Sequence, residues 1–178
     1  MKTIALLAVV SYSVSVSAFT INFVNRCGFT VWPAVGKAPN GQPDPSVAFG
    51  QRLDPGQSAS FGVDDHALGI RAWGRTGCDA SGANCQTGAC NGGLVCNDAG
   101  ITSDVILSEY GFGDFGQFGG QRTAWDLSHV ELLSSSDGQS VLCRASNCPA
   151  DQAYNSPTDY AADRNSPLGQ TFTHTFCP

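Results

Sequence analysis

The sequence predicts an all-β fold: an antiparallel β-sandwich with small disulfide-stapled loops. Three observations lead there. Short segments that alternate apolar and polar residues recur along the chain, separated by turn signals. No long stretch shows the 3.6-residue apolar period of an amphipathic helix. Four of the eight cysteines, Cys78, Cys85, Cys90 and Cys96, crowd among Gly77, Gly82, Gly88, Gly92 and Gly93. Such a segment can double back but cannot build a core of its own, so cross-links must substitute for burial.

Taken in order, residues 1–18 read as a secretory signal: Lys2, the apolar run from Ile4 to Val10, then small residues through Ala18. The run is too short to cross a bilayer, and no later stretch approaches the roughly 20 apolar residues a spanning helix needs. Residues 19–178 form a single domain. In FTINFVN, Phe19, Ile21 and Phe23 share one face, and Arg26-Cys27-Gly28 turns into a second strand from Phe29 to Val35, giving an opening hairpin. Residues 38–46, with three prolines and a glycine, read as a loop. Leu53-Asp54-Pro55-Gly56 is a tight turn before a strand that runs through Phe61.

Leu68 to Arg75 alternates again, and Val105–Tyr110 and Ala124–Leu133 read as two further strands. Between them lies GFGDFGQFGG, residues 111–120, in which Phe112, Phe115 and Phe118 recur in a glycine-rich background. This reads as a mobile loop whose rings could stack on a sugar. SSSDGQS is a loop, Cys143–Asp163 an irregular excursion, and TFTHTFCP a last strand followed by the chain end.

The whole chain carries a formal charge of −6, and removing Lys2 with the signal makes the remainder more negative. Nucleic acid and anionic lipid are therefore disfavoured partners. Eight cysteines in an exported chain argue for four disulfides, with about a hundred possible pairings. The spacings lack the tight pairs of zinc knuckles, so no metal is expected. Nor does any glycine-rich motif carry a P-loop lysine, and no cofactor is expected. His66, His129 and His174 show no ligand spacing and read as structural histidines.

Four segments together carry a specific resemblance: FTINFVNRCGFTVWPA at 19–34, WGRTGC at 73–78, CQTGACNGGLVC at 85–96 and HTFCP at 174–178. On these the chain resembles the thaumatin-like proteins, in their short form with a reduced second domain. Ala83 and Ala89 stand where the family usually has Gly and Asp. The resemblance implies the pairings Cys27–Cys177, Cys78–Cys85, Cys90–Cys96 and Cys143–Cys148. It also implies an acidic cleft, with Arg71, Glu109 and Asp126 matching its positions, Glu131 where a second Asp would stand, and Asp151 as a further match. The expected roles are Glu109 as catalytic acid and Asp126 as base, with Arg71, Glu131 and Asp151 binding substrate. Glycoside hydrolysis needs two such carboxyl groups, and an arginine that holds one ionised while the other keeps its proton separates their roles.

Asp126 and Glu131 are five apart, so one unbroken strand would point them to opposite faces. The resemblance implies a secreted, monomeric binder of cell-wall polysaccharide, β-1,3-glucan in particular, acting as an endo-glucanase. The alternative is a non-enzymatic antifungal protein or an inhibitor of a secreted carbohydrase.

Overall fold

The structure is a computed structural model that describes residues 18–103, 105, 107–127, 131–143, 149, 151–152 and 162–178. Its strands are β1 (Ala18–Asn25), β2 (Ala34–Lys37), β3 (Asp44–Gly50), β4 (Ser58–Asp64), β5 (Ile70–Trp73) and β6 (Ser108–Asp114). They continue with β7 (Gln121–Leu127), β8 (Glu131–Ser135), β9 (Ser140–Cys143), β10 (Arg164–Pro167) and β11 (Thr171–Phe176). One sheet has the order β4-β1-β11-β8-β9 and the other β10-β7-β6-β5-β2-β3. All pairs are antiparallel except β1 with β11, which run parallel at the centre of the five-stranded sheet. Among the described residues, no helix is long and apolar enough to cross a membrane.

The alternation in β1 does what its period demands: Phe19, Ile21 and Phe23 are fully buried between the sheets. Phe172 of β11 packs across the interior against Tyr110 of β6, with ring centroids 4.9 Å apart, and against Trp125 of β7 at 5.6 Å. His174 sits in this core as expected of a structural histidine. Its Nε2 is 2.6 Å from the Tyr110 hydroxyl and its Nδ1 3.5 Å from Ser108 Oγ. Burial depresses its pKa to about 3, so the imidazole is neutral.

The opening hairpin does not form. β1 pairs with β4 and β11, while the chain beyond Cys27 crosses to the other sheet and becomes β2, between β3 and β5. Alternation fixes which face is buried but not which strand lies alongside. At the corner, the Asn25 amide donates to the carbonyls of Phe29 and Leu53, both at 2.9 Å, and its Oδ1 accepts from the Cys27 N–H at 2.9 Å. This side chain satisfies the backbone that a hairpin ladder would otherwise have used.

The expected loop at 38–46 is shorter than anticipated: one 3-10 turn at Pro39–Gly41, after which β3 already starts at Asp44. β3 contains Pro45, and it can because it is an edge strand, where a missing N–H costs no ladder bond. The strand read as Ala124–Leu133 is two strands, β7 and β8, in different sheets. The glycine-rich stretch is not a loop throughout. Gly111–Asp114 continues β6 and pairs with β7, and the chain turns at Gly116–Phe118. Glycines give no alternation signal, so only the partner's ladder reveals this strand.

After β5 the chain forms the stapled module. Cys78–Cys85 and Cys90–Cys96 are bridged as the resemblance implied, and Cys27–Cys177 joins the ends of the paired β1 and β11 across 150 residues. In the chain-entropy account, closing so long a loop contributes about 5 kcal/mol. The Cys143–Cys148 pairing and His129 fall outside the described residues.

The module's centre is Arg75, whose side chain is fully buried. It donates from Nε to the Trp32 carbonyl at 2.9 Å, from Nη1 to Gly93 at 2.7 Å and from Nη2 to Leu94 at 2.7 Å. Burial lowers its pKa to about 10, which still leaves it charged at neutral pH. Asp79 organises the Cys78–Cys85 loop, accepting from Ser81, Ala83 and Asn84. The module docks on one end of the outer face of the six-stranded sheet, where Ala34, Trp73 and Cys96 form a small second core. Gly36 and Gly50 permit this docking, since a Cβ on Gly36 would lie 2.5 Å from Ala99 Cα and one on Gly50 1.6 Å from the Leu94 oxygen.

Candidate functional site

Period two places the site residues. Ile70, Ala72, Tyr110 and Trp125 are buried, so the residues between them, Arg71, Glu109 and Asp126, face the other side of the sheet. The register then aligns them in one row: Gly36 opposite Arg71, Arg71 opposite Glu109, and Glu109 opposite Asp126. At the Gly36 end the row lies under the stapled module. At the other end it is open.

Arg71 Nε donates to Glu109 Oε1 at 3.0 Å, an ion pair with both groups partly exposed. Asp126 is different. It is largely buried, and its Oδ1 has no hydrogen-bond partner among the described residues. Its pKa is raised to about 8, first by burial and then by the negative charges of Glu109 and Asp163. At neutral pH the row therefore holds an ion-paired carboxylate beside a protonated carboxylic acid.

Glu109 and Asp126 line a pocket of about 180 Å³, together with Tyr110, Gly111, Phe115 and the start of β10. Phe115 is the ring of the glycine-rich stretch that reaches the pocket, and it is 42 % exposed there. Gly113 lets it lie flat against β6, since a Cβ there would meet the ring at 2.8 Å. The Phe112 ring instead packs at a tilt against His66, with ring centroids 4.6 Å apart.

The structure brings Arg71, Glu109 and Asp126 together and leaves the other two expected residues outside the row. Glu131 begins β8, in the five-stranded sheet, so the segment read as one strand from Ala124 to Leu133 is broken between it and Asp126. Asp151 is an exposed turn residue that does not line the pocket, although its backbone carbonyl accepts from Arg164 Nη2 at 2.5 Å. Asp163 is the acid that sequence reasoning missed. Antiparallel pairing of Arg164 with Trp125 carries it alongside Asp126. No local motif marks it; only the β7–β10 pairing does. Among the described residues, no group of His, Cys, Asp and Glu side chains could hold a metal ion.

A family model described as the thaumatin family matches residues 25–178. A thaumatin-like pathogenesis-related protein 4 of Avena sativa is 34% identical, covering 99% of this chain and 98% of its own. The thaumatin-like protein PWIR2 of Triticum aestivum is 35% identical over 94% and 92%. Among solved structures, the thaumatin-like xylanase inhibitor TLXI superposes with a TM-score of 0.62 at 25% identity, covering 89% of this chain and 99% of that one. The protein elicitor MoHrip2 from Magnaporthe oryzae shares the fold, with a TM-score of 0.51 at 17% identity over 89% and 98%.

Proposed function

The chain belongs to the thaumatin family, and from its acidic row we propose a secreted defence protein that binds β-1,3-glucan in the Glu109–Asp126 pocket and cleaves it as an endo-glucanase. The observation that carries this reading is the division of protonation between opposed carboxyl groups: Glu109 paired with Arg71, and Asp126 raised to about 8. That division supports exchanging the roles expected from sequence. Asp126 donates its proton to the glycosidic oxygen as the bond from C1 breaks, and Glu109 stabilises or attacks the positive C1.

Glu109 and Asp126 stand directly opposite each other on adjacent antiparallel strands, and in a retaining route Glu109 attacks C1 as the nucleophile. In that case Asp126, now ionised, takes a proton from the water that releases the sugar. The exposed Phe115 ring offers a stacking face at the lip.

The test is reducing-sugar release from soluble β-1,3-glucan. Asp126→Asn and Glu109→Gln should each lower the rate by at least about a hundredfold. Rates unchanged in both variants would remove the catalytic assignment, while retention on insoluble glucan would still measure binding. A second reading, inhibition of a secreted carbohydrase, is favoured by one observation: TLXI, which aligns over nearly its full length, is named a xylanase inhibitor. Titrating a xylanase with the purified protein distinguishes the two.

A further inference from the structure

A second pocket shares no residue with the acidic one. It has a volume of about 340 Å³ and is lined by Phe29, Thr30, Trp32, Thr76, Gly77 and Gln86. It lies where irregular bridges join Val31 to Thr76 and Thr76 to Thr87, so residues from the β1–β2 connection and from the stapled module meet there. Three features of this lining stand together.

First, it offers an apolar face to solvent. Phe29 is 54 % exposed, the most of any large hydrophobic side chain among the described residues. Because this ring lines a pocket, it presents a face on which a ring-shaped ligand can stack. Second, the lining carries no free charge. The nearby cation, Arg52, is paired with Asp54 at 2.8 Å and lies 5.9 Å from the Trp32 ring centroid. Asp54 also accepts from the Thr30 hydroxyl at 2.8 Å.

Third, polar groups are held in place around the ring. Gln86 packs its side chain on Gly77, where a Cβ would come within 2.6 Å of Cδ, and its amide makes no hydrogen bond with the described residues. The hydroxyls of Thr76 and Thr87 bond each other at 2.7 Å, and each keeps further hydrogen-bonding capacity. The Cys27–Cys177 and Cys78–Cys85 bridges fix the backbone on either side.

An exposed ring, uncharged hydroxyls and a solvent-facing amide suit one ligand chemistry: a neutral sugar ring, with an apolar face to stack and hydroxyls to pair with donors and acceptors. We propose that this pocket is a second saccharide subsite, independent of the acidic one, that takes a ring of a neutral polysaccharide. A charged ligand would find nothing here to neutralise it. A chain engaged at both pockets would be held by two weak contacts acting together.

The experiment is a heteronuclear NMR titration of the protein with a neutral β-1,3-gluco-oligosaccharide and, separately, a neutral β-1,4-xylo-oligosaccharide. At least one should move the amide signals of Thr30, Thr76, Gly77 and Gln86 saturably, and the arm that does so identifies the polysaccharide class. Phe29→Ala and Gln86→Ala, both at exposed positions, should each weaken that response about fivefold. Asp126→Asn should leave it intact. Signals of Gly111, Ala124 and Asp126 report the acidic pocket separately, so loss of one response does not imply loss of the other. Unmoved signals at the four residues, or a response undiminished in both variants, overturns the proposal. So does a response to an added xylanase but to neither oligosaccharide.

Discussion

Replacing Asp126 by asparagine should remove a pH-dependent contribution that, taken by itself, lowers stability progressively between about pH 4 and pH 8. In the folded protein this carboxyl has its pKa raised from 3.8 to about 8 by burial and by the Glu109 and Asp163 charges. The folded state therefore holds a proton that the unfolded chain releases above 3.8. Stability from this group is intact below that pH and falls by about 1.36 kcal/mol per pH unit until the folded pKa is passed. Between pH 5 and 7 the loss amounts to about 2.7 kcal/mol, a large share of the 5–15 kcal/mol typical of a domain.

Asparagine keeps the shape, cannot ionise and carries no charge for Glu109 to repel. Guanidinium unfolding of both proteins at fixed pH values gives the difference directly, because every other titrating group is common to the two. The difference should change by about 1.36 kcal/mol per pH unit across this window. Parallel stability curves for wild type and Asp126→Asn would refute the argument, and with it the raised pKa on which the proposed acid role depends.

His174 should act with the opposite sign. Its folded pKa is depressed from 6.5 to about 3 by burial, so the unfolded chain gains a proton first and stability falls as pH drops through that interval. In the overlap the two slopes oppose each other; His174→Gln should therefore lose stability with rising pH from about 4 upward, whereas wild type is nearly level to about pH 6.5. The same unfolding series measures it, and a level variant contradicts the account. Arg75→Met leaves the Trp32, Gly93 and Leu94 carbonyls without their donor, and should cost about 3–5 kcal/mol in denaturant unfolding. A cost below about 1 kcal/mol would show that Arg75 is not the module's hub. Gly50→Ala forces a methyl against the Leu94 oxygen and should destabilise by at least about 2 kcal/mol and open the module to limited proteolysis. Gly28→Ala, with nothing within 4 Å, is the matched control.

The sequence by itself determined which residues face inward. Period two at Phe19, Ile21 and Phe23 and the alternation around Arg71 are local properties of an extended chain, legible without knowing any partner. It also determined the three bridged cysteine pairs that the structure describes, through four motifs specific enough to carry a family resemblance. Strand partners belong to the tertiary structure alone. Alternation is satisfied equally by any neighbour, so the opening hairpin was the wrong inference, and the true partner of β1 lies at the far end of the chain. The same long-range pairing settles the acidic row. Arg71, Glu109 and Asp126 could be named from the sequence, but Asp163 arrives beside them only because β10 pairs with β7, and Glu131 leaves because β8 joins the other sheet. Protonation follows from that arrangement: a carboxyl's pKa depends on what surrounds it in space, and neither the burial of Asp126 nor its two charged neighbours is written in the residues on either side of it.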